Sequence, residues 1–216
     1  MGMYASEVIK QATAWIGKKE SDGTHKSIID LYNSHKPLAR NYKVKYTDSW
    51  CAVFVSAVSI KLGYTKIIPV ECSCQKMIAL FKKLGCWVEN ENVTPKKGWV
   101  IFYYWKDGKD FENNDCKGWA NHTGIVERVA NGKITVMEGN YGNAVKRRTL
   151  KVNGQYIRGY GVPKYDTEPK KSVSTVAKEV ISGKWGNNPE RKKRLEEAGY
   201  NYYEVQKKVN ELLKIR

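Results

Sequence analysis

The sequence predicts an α+β fold with a small helical module at its C-terminal end. The N-terminal third carries apolar residues at helical spacing, such as Val8, Ile9 and Ala12, and its apolar segments stop at glycine or proline. From residue 99 onward, short β-branched and aromatic runs alternate with turn signals, which is typical of an antiparallel sheet. After Pro163 the composition shifts again, to charged segments that favour helices.

These changes in composition divide the chain into three parts. Residues 1–165 are predicted to form the main domain, 166–171 a charged linker, and 172–216 a module of three short helices. In that module Asn201, with Glu204 three positions later, predicts the start of the last helix, because this pairing can satisfy N–H groups that lack a partner in the first turn.

The chain of 216 residues has a net charge of +16, and the segment from Thr167 onward contributes 12 basic and 7 acidic residues to it. The basicity is therefore distributed over the whole chain. It favours a polyanionic partner, namely nucleic acid, an anionic membrane surface or an anionic cell wall, and a solvated basic surface is the alternative. The N-terminal residues predict no signal peptide, and no apolar stretch is long enough to span a membrane.

The cysteines are odd in number and come without a signal peptide, which favours free thiols over a disulfide framework. The five positions are Cys51, Cys72, Cys74, Cys86 and Cys116. The Cys72-Ser73-Cys74 pair lacks the second pair that a zinc site needs. Glu20 and Asp22 are too few, and too close to lysines, to form a calcium site. We therefore expect no metal and no cofactor.

Cys51 begins an almost wholly apolar segment that runs to Leu62 and stops at Gly63. Such a segment predicts a helix that is buried in the core. The first turn of a helix favours an anion, because its N–H groups are unpaired and the helix dipole is positive there. A thiol in that position acquires a lower pKa and can act as a nucleophile. The alternative is a small buried cysteine that only packs.

A thiol nucleophile needs a base and a third group that orients the base. His25 and His35 lie on or beside an N-terminal helix, whereas His122 begins a strand that would hold its side chain rigidly. The next predicted strand contains Glu138 and leads to Asn140, which are unusual residues for a buried strand. An edge strand that runs into a polar turn is the alternative explanation.

The register of these two strands decides whether the residues can cooperate. With a strict two-residue turn at Asn131-Gly132, His122 and Glu138 would lie on opposite faces. A three-residue loop with a bulge at Gly132 would place Asn140 opposite His122, with Glu138 diagonally adjacent on the same face. The catalytic hypothesis therefore predicts the bulged loop.

Four motifs together resemble the CHAP family, the cysteine, histidine-dependent amidohydrolases/peptidases. They are Trp50-Cys51-Ala52-x-Phe54-Val55-Ser56, His122-x-Gly124-Ile125-Val126, Glu138-Gly139-Asn140 and Ile157-x-Gly159-Tyr160-Gly161-x-Pro163-x-Tyr165. The resemblance covers most of residues 4–165 and implies a papain-like fold. It also implies the following roles: nucleophile for Cys51, general base and then acid for His122, orientation of the imidazole for Glu138, and an auxiliary polar role for Asn140.

The substrate that the CHAP resemblance implies is bacterial peptidoglycan. The bond is either the sugar–peptide amide, as in an N-acetylmuramoyl-L-alanine amidase, or an amide within the stem or cross-bridge peptide. Trp50, Trp119 and Tyr141, together with Trp105, are expected to line the substrate groove, and packing in the core or a loop is the alternative for each. The chain departs from the family at Gly98-Trp99, where many members have Gly-Asp.

The last segment resembles the CW-seven cell-wall-binding repeat of some phage lysozymes. The matching residues are Val176-Ala177-x-Glu179-Val180-Ile181-x-Gly183-x-Trp185-Gly186-Asn187, Arg191-x-x-Arg194-Leu195, Ala198-Gly199-Tyr200 and Val205-x-x-x-Val209-Asn210. On this resemblance a muropeptide would be held by Trp185, Arg191, Arg194 and Tyr200. The alternative is a helical cap that only stabilises the main domain.

The predicted function is therefore that of a peptidoglycan hydrolase of the endolysin or autolysin type. We expect it to accumulate in the cytoplasm of the bacterial host and to reach the cell wall after release. A non-catalytic wall-binding protein with a vestigial triad is the first alternative. A basic nucleic-acid-binding protein is the second, and the sequence contains no helix-turn-helix, zinc or RNA-reading motif that would favour it.

Overall fold

The computed structural model contains two compact units, Met1–Thr167 and Glu168–Arg216. The structure describes residues 2–89, 93–105, 118–154 and 156–214. Most of the polar loop that begins at residue 106, and Cys116 within it, lies outside the described residues. Among the described helices, none is long and apolar enough to cross a membrane.

The first unit places its helices before its strands. The helices are α1 (Ala5–Thr13), α2 (Lys26–Ser34), α3 (Cys51–Leu62) and α4 (Cys74–Lys83). The strands are β1 (Trp87–Val88), β2 (Val100–Tyr103), β3 (His122–Ala130), β4 (Lys133–Glu138), β5 (Lys146–Lys151) and β6 (Ile157–Gly161). They form one antiparallel sheet in the order β1-β6-β2-β3-β4-β5. The α+β prediction is confirmed, while the two-residue strand β1 was too short for the pattern to predict.

Helix α3 is the central helix of this unit. Every residue from Cys51 to Ser59 is buried, and α3 packs against α1, α2 and β3. A helix that is apolar on all sides has no face for water, so burial on every side is the arrangement its sequence favours. Gly63 ends the helix in the left-handed region, with φ of 71°.

The sheet has apolar side chains on both faces. In β2, Val100 and Phe102 belong to the core that contains α3, whereas Ile101 and Tyr103 belong to a second cluster with β4 and β6. This alternation follows from the two-residue period of a strand. Strand β2 is consequently buried along its whole length.

The β3–β4 hairpin has the predicted register but not the predicted turn. Ala130 pairs with Lys133 across a two-residue turn, and Asn131 and Gly132 both have positive φ. The three-residue loop with a bulge at Gly132 is therefore wrong. The register shifts instead at Glu127, between Val126 and Arg128, so that Ile125 pairs with Met137. The bulge at Glu127 adds the one residue that returns His122 and Glu138 to the same face.

Two glycines of the motifs stand where the backbone approaches a neighbour closely. A Cβ at Gly124 would lie 2.7 Å from Cγ of Glu138 and 2.8 Å from the Met137 carbonyl oxygen. A Cβ at Gly139 would lie 2.3 Å from Cβ of Phe54. The first glycine lets β4 bring Glu138 against β3, and the second lets the end of β4 approach α3.

The second unit is a three-helix module, as predicted. Its helices are α5 (Val173–Ile181), α6 (Glu190–Glu197) and α7 (Tyr202–Lys214). Their apolar faces share one small core of Val176, Ala177, Val180, Leu195, Val205 and Val209. The side chain of Asn201 accepts hydrogen bonds from the N–H groups of Tyr203 and Glu204, which confirms the predicted cap of α7.

We predict that Gly124→Ala lowers the free energy of unfolding of the main domain by about 1–3 kcal/mol, because the added methyl group overpacks a closed contact. Urea denaturation followed by tryptophan fluorescence measures the change. Arg128→Ala, at an exposed position of the same strand, is the control and should change stability by less than about 0.5 kcal/mol. Equal stability of Gly124→Ala and wild type would contradict the close approach.

Candidate active site

Cys51 is the first residue of α3 and is 5% exposed. Within the part of the chain that the structure describes, no side chain caps this helix, and its first turn contains no acidic residue. The N–H groups of the first turn therefore remain available to an anion, and the N–H of Ala52 is hydrogen-bonded to the Cys51 sulfur. Local sequence alone thus places the thiol where a thiolate is favoured.

His122 and Glu138 meet across the β3–β4 hairpin. The distance between Nε2 of His122 and Oε2 of Glu138 is 2.9 Å. His122 is also hydrogen-bonded to Cys51. Because Nε2 is engaged by the carboxylate, Nδ1 is the ring nitrogen that can serve the thiol. The three side chains therefore lie in the order thiol, imidazole, carboxylate, which is the order that a nucleophile, its base and an orienting group require.

The carboxylate of Glu138 is completely buried and has two further donors. The Tyr103 hydroxyl donates to Oε1 at 2.9 Å, and Nε of Arg148 donates to Oε1 and Oε2 at 2.8 and 3.0 Å. Burial by itself would raise the pKa of Glu138. The hydrogen bonds from His122 and Arg148 outweigh it and hold the pKa below its usual value, so Glu138 is ionised.

The Cys51–His122 pair is polarised toward a thiolate and an imidazolium. The pKa of Cys51 lies well below that of an ordinary thiol, first because the Cys74 thiol is hydrogen-bonded to it, and then, against the opposing effect of burial, because of His122. Burial would lower the pKa of His122, but Cys51 and Glu138 raise it to about 9. Both shifts favour the thiolate–imidazolium form of the pair over the neutral form.

A cavity of about 280 Å³ opens beside the imidazole. Its lining consists of Trp105, His122, Asn140, Tyr141 and Arg148. The guanidinium carbon of Arg148 lies 3.9 Å from the ring centre of Tyr141 and 5.1 Å from that of Trp105. Cation–π contacts of this kind hold the arginine in place on Glu138 and give the cavity flat aromatic surfaces.

The structure separates the predicted groove residues. Trp105 and Tyr141 line the cavity, whereas Trp119 is 61% exposed and is not among the described lining residues. The expectation for Trp50 is wrong. Its side chain is 0% exposed, and the indole N–H donates to Oε1 of Glu20 at 2.9 Å. Its ring fills part of the core beneath α3. An aromatic residue before an apolar helix can fill a core as well as it can line a groove.

Three residues of the site were missed by the sequence analysis, namely Tyr103, Arg148 and Cys74. Tyr103 pairs directly with His122 across β2 and β3, and Arg148 pairs with Val136 across β4 and β5. Both reach Glu138 only through the register of the sheet. One sequence signal could have identified Arg148. It is a basic residue of the strand next to that of Glu138, and it alternates there with exposed residues.

The second unit has a cavity of its own, of about 590 Å³. It is lined by Lys171, Glu179, Lys184, Trp185, Arg194, Glu197 and Ala198. Of the four predicted residues, Trp185 and Arg194 are in this lining. The other two serve the module itself: Arg191 Nε donates to the Gly186 carbonyl at 2.9 Å, and the Tyr200 hydroxyl accepts from the Lys171 N–H at 3.0 Å.

Two protein families match separate parts of this chain. Residues 41–140 match the CHAP domain and residues 174–213 match the CW_7 repeat. The lysozyme of Streptococcus phage Cp-7 is 57% identical over 42 residues, which cover 19% of this chain and 12% of that protein.

Two solved structures also resemble the chain at 15% sequence identity. They are the crystal structure of Ly7917, with a TM-score of 0.42, and the crystal structure of Ly7917 with the hydrolyzing product of MDP, with a TM-score of 0.38. Each match covers 74% of this chain, and 62% and 63% of the respective chains. The matched CHAP segment contains Cys51, His122, Glu138 and Asn140. By the two family matches, the chain contains a CHAP domain at residues 41–140 followed by a CW_7 repeat at residues 174–213.

Proposed function

We propose that this protein is a peptidoglycan hydrolase that cleaves an amide bond of the bacterial cell wall with Cys51 as nucleophile. The observation that carries the proposal is the buried Cys51–His122–Glu138 array, in which the pKa of the thiol is lowered and the pKa of the imidazole is raised. The CHAP match supports the reaction class, and the CW_7 match supports the wall as the place of action.

The reaction begins with attack of the Cys51 thiolate on the amide carbonyl carbon. The carbonyl oxygen becomes an anion, which the first-turn N–H groups of α3 are placed to stabilise. The imidazolium of His122 then gives its proton to the leaving nitrogen, the C–N bond breaks, and an acyl-enzyme forms. His122, now neutral, takes a proton from water, the resulting hydroxide attacks the thioester, and the Cys51 thiolate leaves.

Glu138 and Arg148 act through His122. Glu138 fixes the ring so that Nδ1 serves the sulfur, and it stabilises the imidazolium that the first step requires. Arg148 holds both oxygens of Glu138 and keeps the carboxylate ionised. Asn140, in the cavity lining with φ of 58°, supplies a polar group beside the imidazole.

The second unit would hold the enzyme on its substrate. The Trp185–Arg194 cavity combines an indole surface with a guanidinium group, which suits a sugar ring and a peptide carboxylate. The net charge of +16 would concentrate the protein on an anionic wall. Accumulation in the cytoplasm before release stays a prediction.

The first test is mass spectrometry of purified peptidoglycan after incubation with wild type and with Cys51→Ala. Wild type should produce new amino groups at one defined bond, which also identifies the amide that is cut. Cys51→Ala should reduce that product at least about a thousandfold, because no other group replaces the nucleophile. Cys86→Ala, which removes a buried thiol elsewhere, should stay active. Intact peptidoglycan in every sample, with protein bound to it, would favour the non-catalytic wall-binding alternative.

The pH dependence of kcat/KM tests the role of Glu138. Activity of wild type should rise as Cys51 ionises and fall as His122 loses its proton near pH 9. Glu138→Gln removes the negative charge that raises the pKa of His122, so the alkaline limb should move to lower pH. At neutral pH, kcat/KM should fall roughly a hundredfold.

The matched control for Glu138→Gln is Glu127→Gln. Glu127 binds Arg147 at 2.7 and 2.9 Å on the same sheet, outside the cavity lining described above. This variant should keep the alkaline limb of wild type. An unchanged limb in folded Glu138→Gln would show that Glu138 does not stabilise the imidazolium.

Wall binding is tested by sedimentation with purified peptidoglycan, using Cys51→Ala as the background so that the substrate stays intact. Trp185→Ala and Arg194→Ala should each weaken binding about tenfold, because each removes one contact of a few kcal/mol or less. Tyr203→Ala and Lys193→Ala remove an exposed aromatic and an exposed basic residue outside the cavity. They should bind like the parent, and equal binding by all four variants would exclude this cavity as the wall-binding site.

A further inference from the structure

Cys74 contacts the nucleophile, although the mechanism above uses only one of the two sulfurs. The distance between Sγ of Cys51 and Sγ of Cys74 is 3.5 Å, and the residues are 5% and 7% exposed. Two buried thiols at this distance share a proton as a hydrogen bond, with one sulfur as donor and the other as acceptor. The surroundings decide which sulfur keeps the proton.

Both cysteines are the first residue of a helix, but only one helix has its N-terminus satisfied. At α4, Glu71 accepts from the N–H groups of Cys72 and Ser73, and Ser73 accepts from the N–H of Lys76. At α3, in the described part of the chain, no side chain caps the N-terminus. A negative charge is therefore more favourable on Cys51 than on Cys74.

The neighbouring charges act in the same direction. His122 of β3 lies against Cys51, where its proton stabilises a thiolate. The titratable neighbours of Cys74 are Cys51 and Cys72, and the nearby Glu71 is paired with Arg40. The Cys51 hydrogen bond, burial and the Cys51 charge all raise the pKa of Cys74, so that it stays a neutral thiol.

We propose that Cys74 is a positioning residue of the active site, whose thiol donates a hydrogen bond to the Cys51 thiolate and keeps the nucleophile ionised and fixed. The proposal rests on the proposed function in one respect, namely that Cys51 is the nucleophile. An S–H donor suits this place because it supplies a proton within an apolar core without adding a charge.

Alkylation of Cys51 by iodoacetamide measures the thiolate without any substrate. The rate is followed by mass spectrometry of the Cys51 peptide between pH 4 and pH 10 in the intact protein. In Cys74→Ala the thiolate loses its donor, so alkylation at acidic pH should be about tenfold slower than in wild type. At alkaline pH, where the thiolate is complete in both proteins, the variant should react about threefold faster, since a less stabilised thiolate is the better nucleophile.

The two pH profiles should therefore cross, which a loss of packing alone would not cause. Cys74→Ser keeps a donor and should follow wild type more closely than Cys74→Ala. Cys86→Ala removes another thiol of 7% exposure, three residues beyond the end of α4, and should leave the profile unchanged. Superimposable profiles for wild type and folded Cys74→Ala would overturn the proposal, and so would a uniform decrease at every pH.

Diamide, an oxidant of thiols, tests the contact directly. It should join Cys51 to Cys74: each sulfur loses one electron, the S–S bond forms, and the N=N bond of diamide is reduced to N–N with uptake of two protons. The product should inactivate wild type until dithiothreitol reduces it, and it should not form in Cys74→Ala. No Cys51–Cys74 disulfide in wild type would place the sulfurs apart and overturn the proposal.

These experiments separate this proposal from the proposed function. A crossing of the alkylation profiles in a protein that releases nothing from peptidoglycan would support the role of Cys74 and reject the hydrolase. Product release by a protein whose alkylation profile is the same with and without Cys74 would support the hydrolase and reject the role of Cys74.

Discussion

The buried carboxylate of Glu138 is the group on which the candidate site depends. Tyr103 of β2, His122 of β3 and Arg148 of β5 all bind it, so one side chain joins four neighbouring strands. A fully buried carboxylate costs several kcal/mol unless it is paired and hydrogen-bonded. The sheet therefore cannot slip in register without leaving that charge unsatisfied, and the same interaction that orients the imidazole fixes the strands.

The bulge at Glu127 shows which part of the hairpin can be predicted from the sequence and which part cannot. The requirement that His122 and Glu138 share a face correctly predicted one extra residue in the hairpin. Its position was wrong, because Asn131-Gly132 satisfies the local preference of a two-residue turn with two positive φ angles. The extra residue is instead Glu127, whose carboxylate binds Arg147 of β5. That partner belongs to a strand two positions away in the sheet, so no local pattern could identify it.

The other predictions were also correct where the cause is local and failed where the cause is a long-range contact. The helix that begins at Cys51, its stop at Gly63 and the cap at Asn201 depend on neighbouring residues, and the sequence predicts them. The sequence did not predict the three residues that reach the site through long-range packing. Tyr103 is 35 residues from Glu138, Cys74 is 23 residues from Cys51, and Arg148 comes from β5. Composition and periodicity do not encode the strand pairing and helix packing that bring them there. The prediction for Trp50 was wrong for a related reason. An aromatic residue next to Cys51 has the same sequence pattern whether it fills the core or lines a groove.

The charges of the site alternate along one path: the Cys51 thiolate, the His122 imidazolium, the Glu138 carboxylate and the Arg148 guanidinium. Their sum is zero, and each inner charge has an opposite charge on both sides. This arrangement favours a thiolate in an otherwise apolar core, because each desolvated charge is compensated by its neighbours. It also makes the four residues one energetic unit, since neutralising any member removes an opposite charge from each of its neighbours. The effects of substitutions within the path should therefore not add.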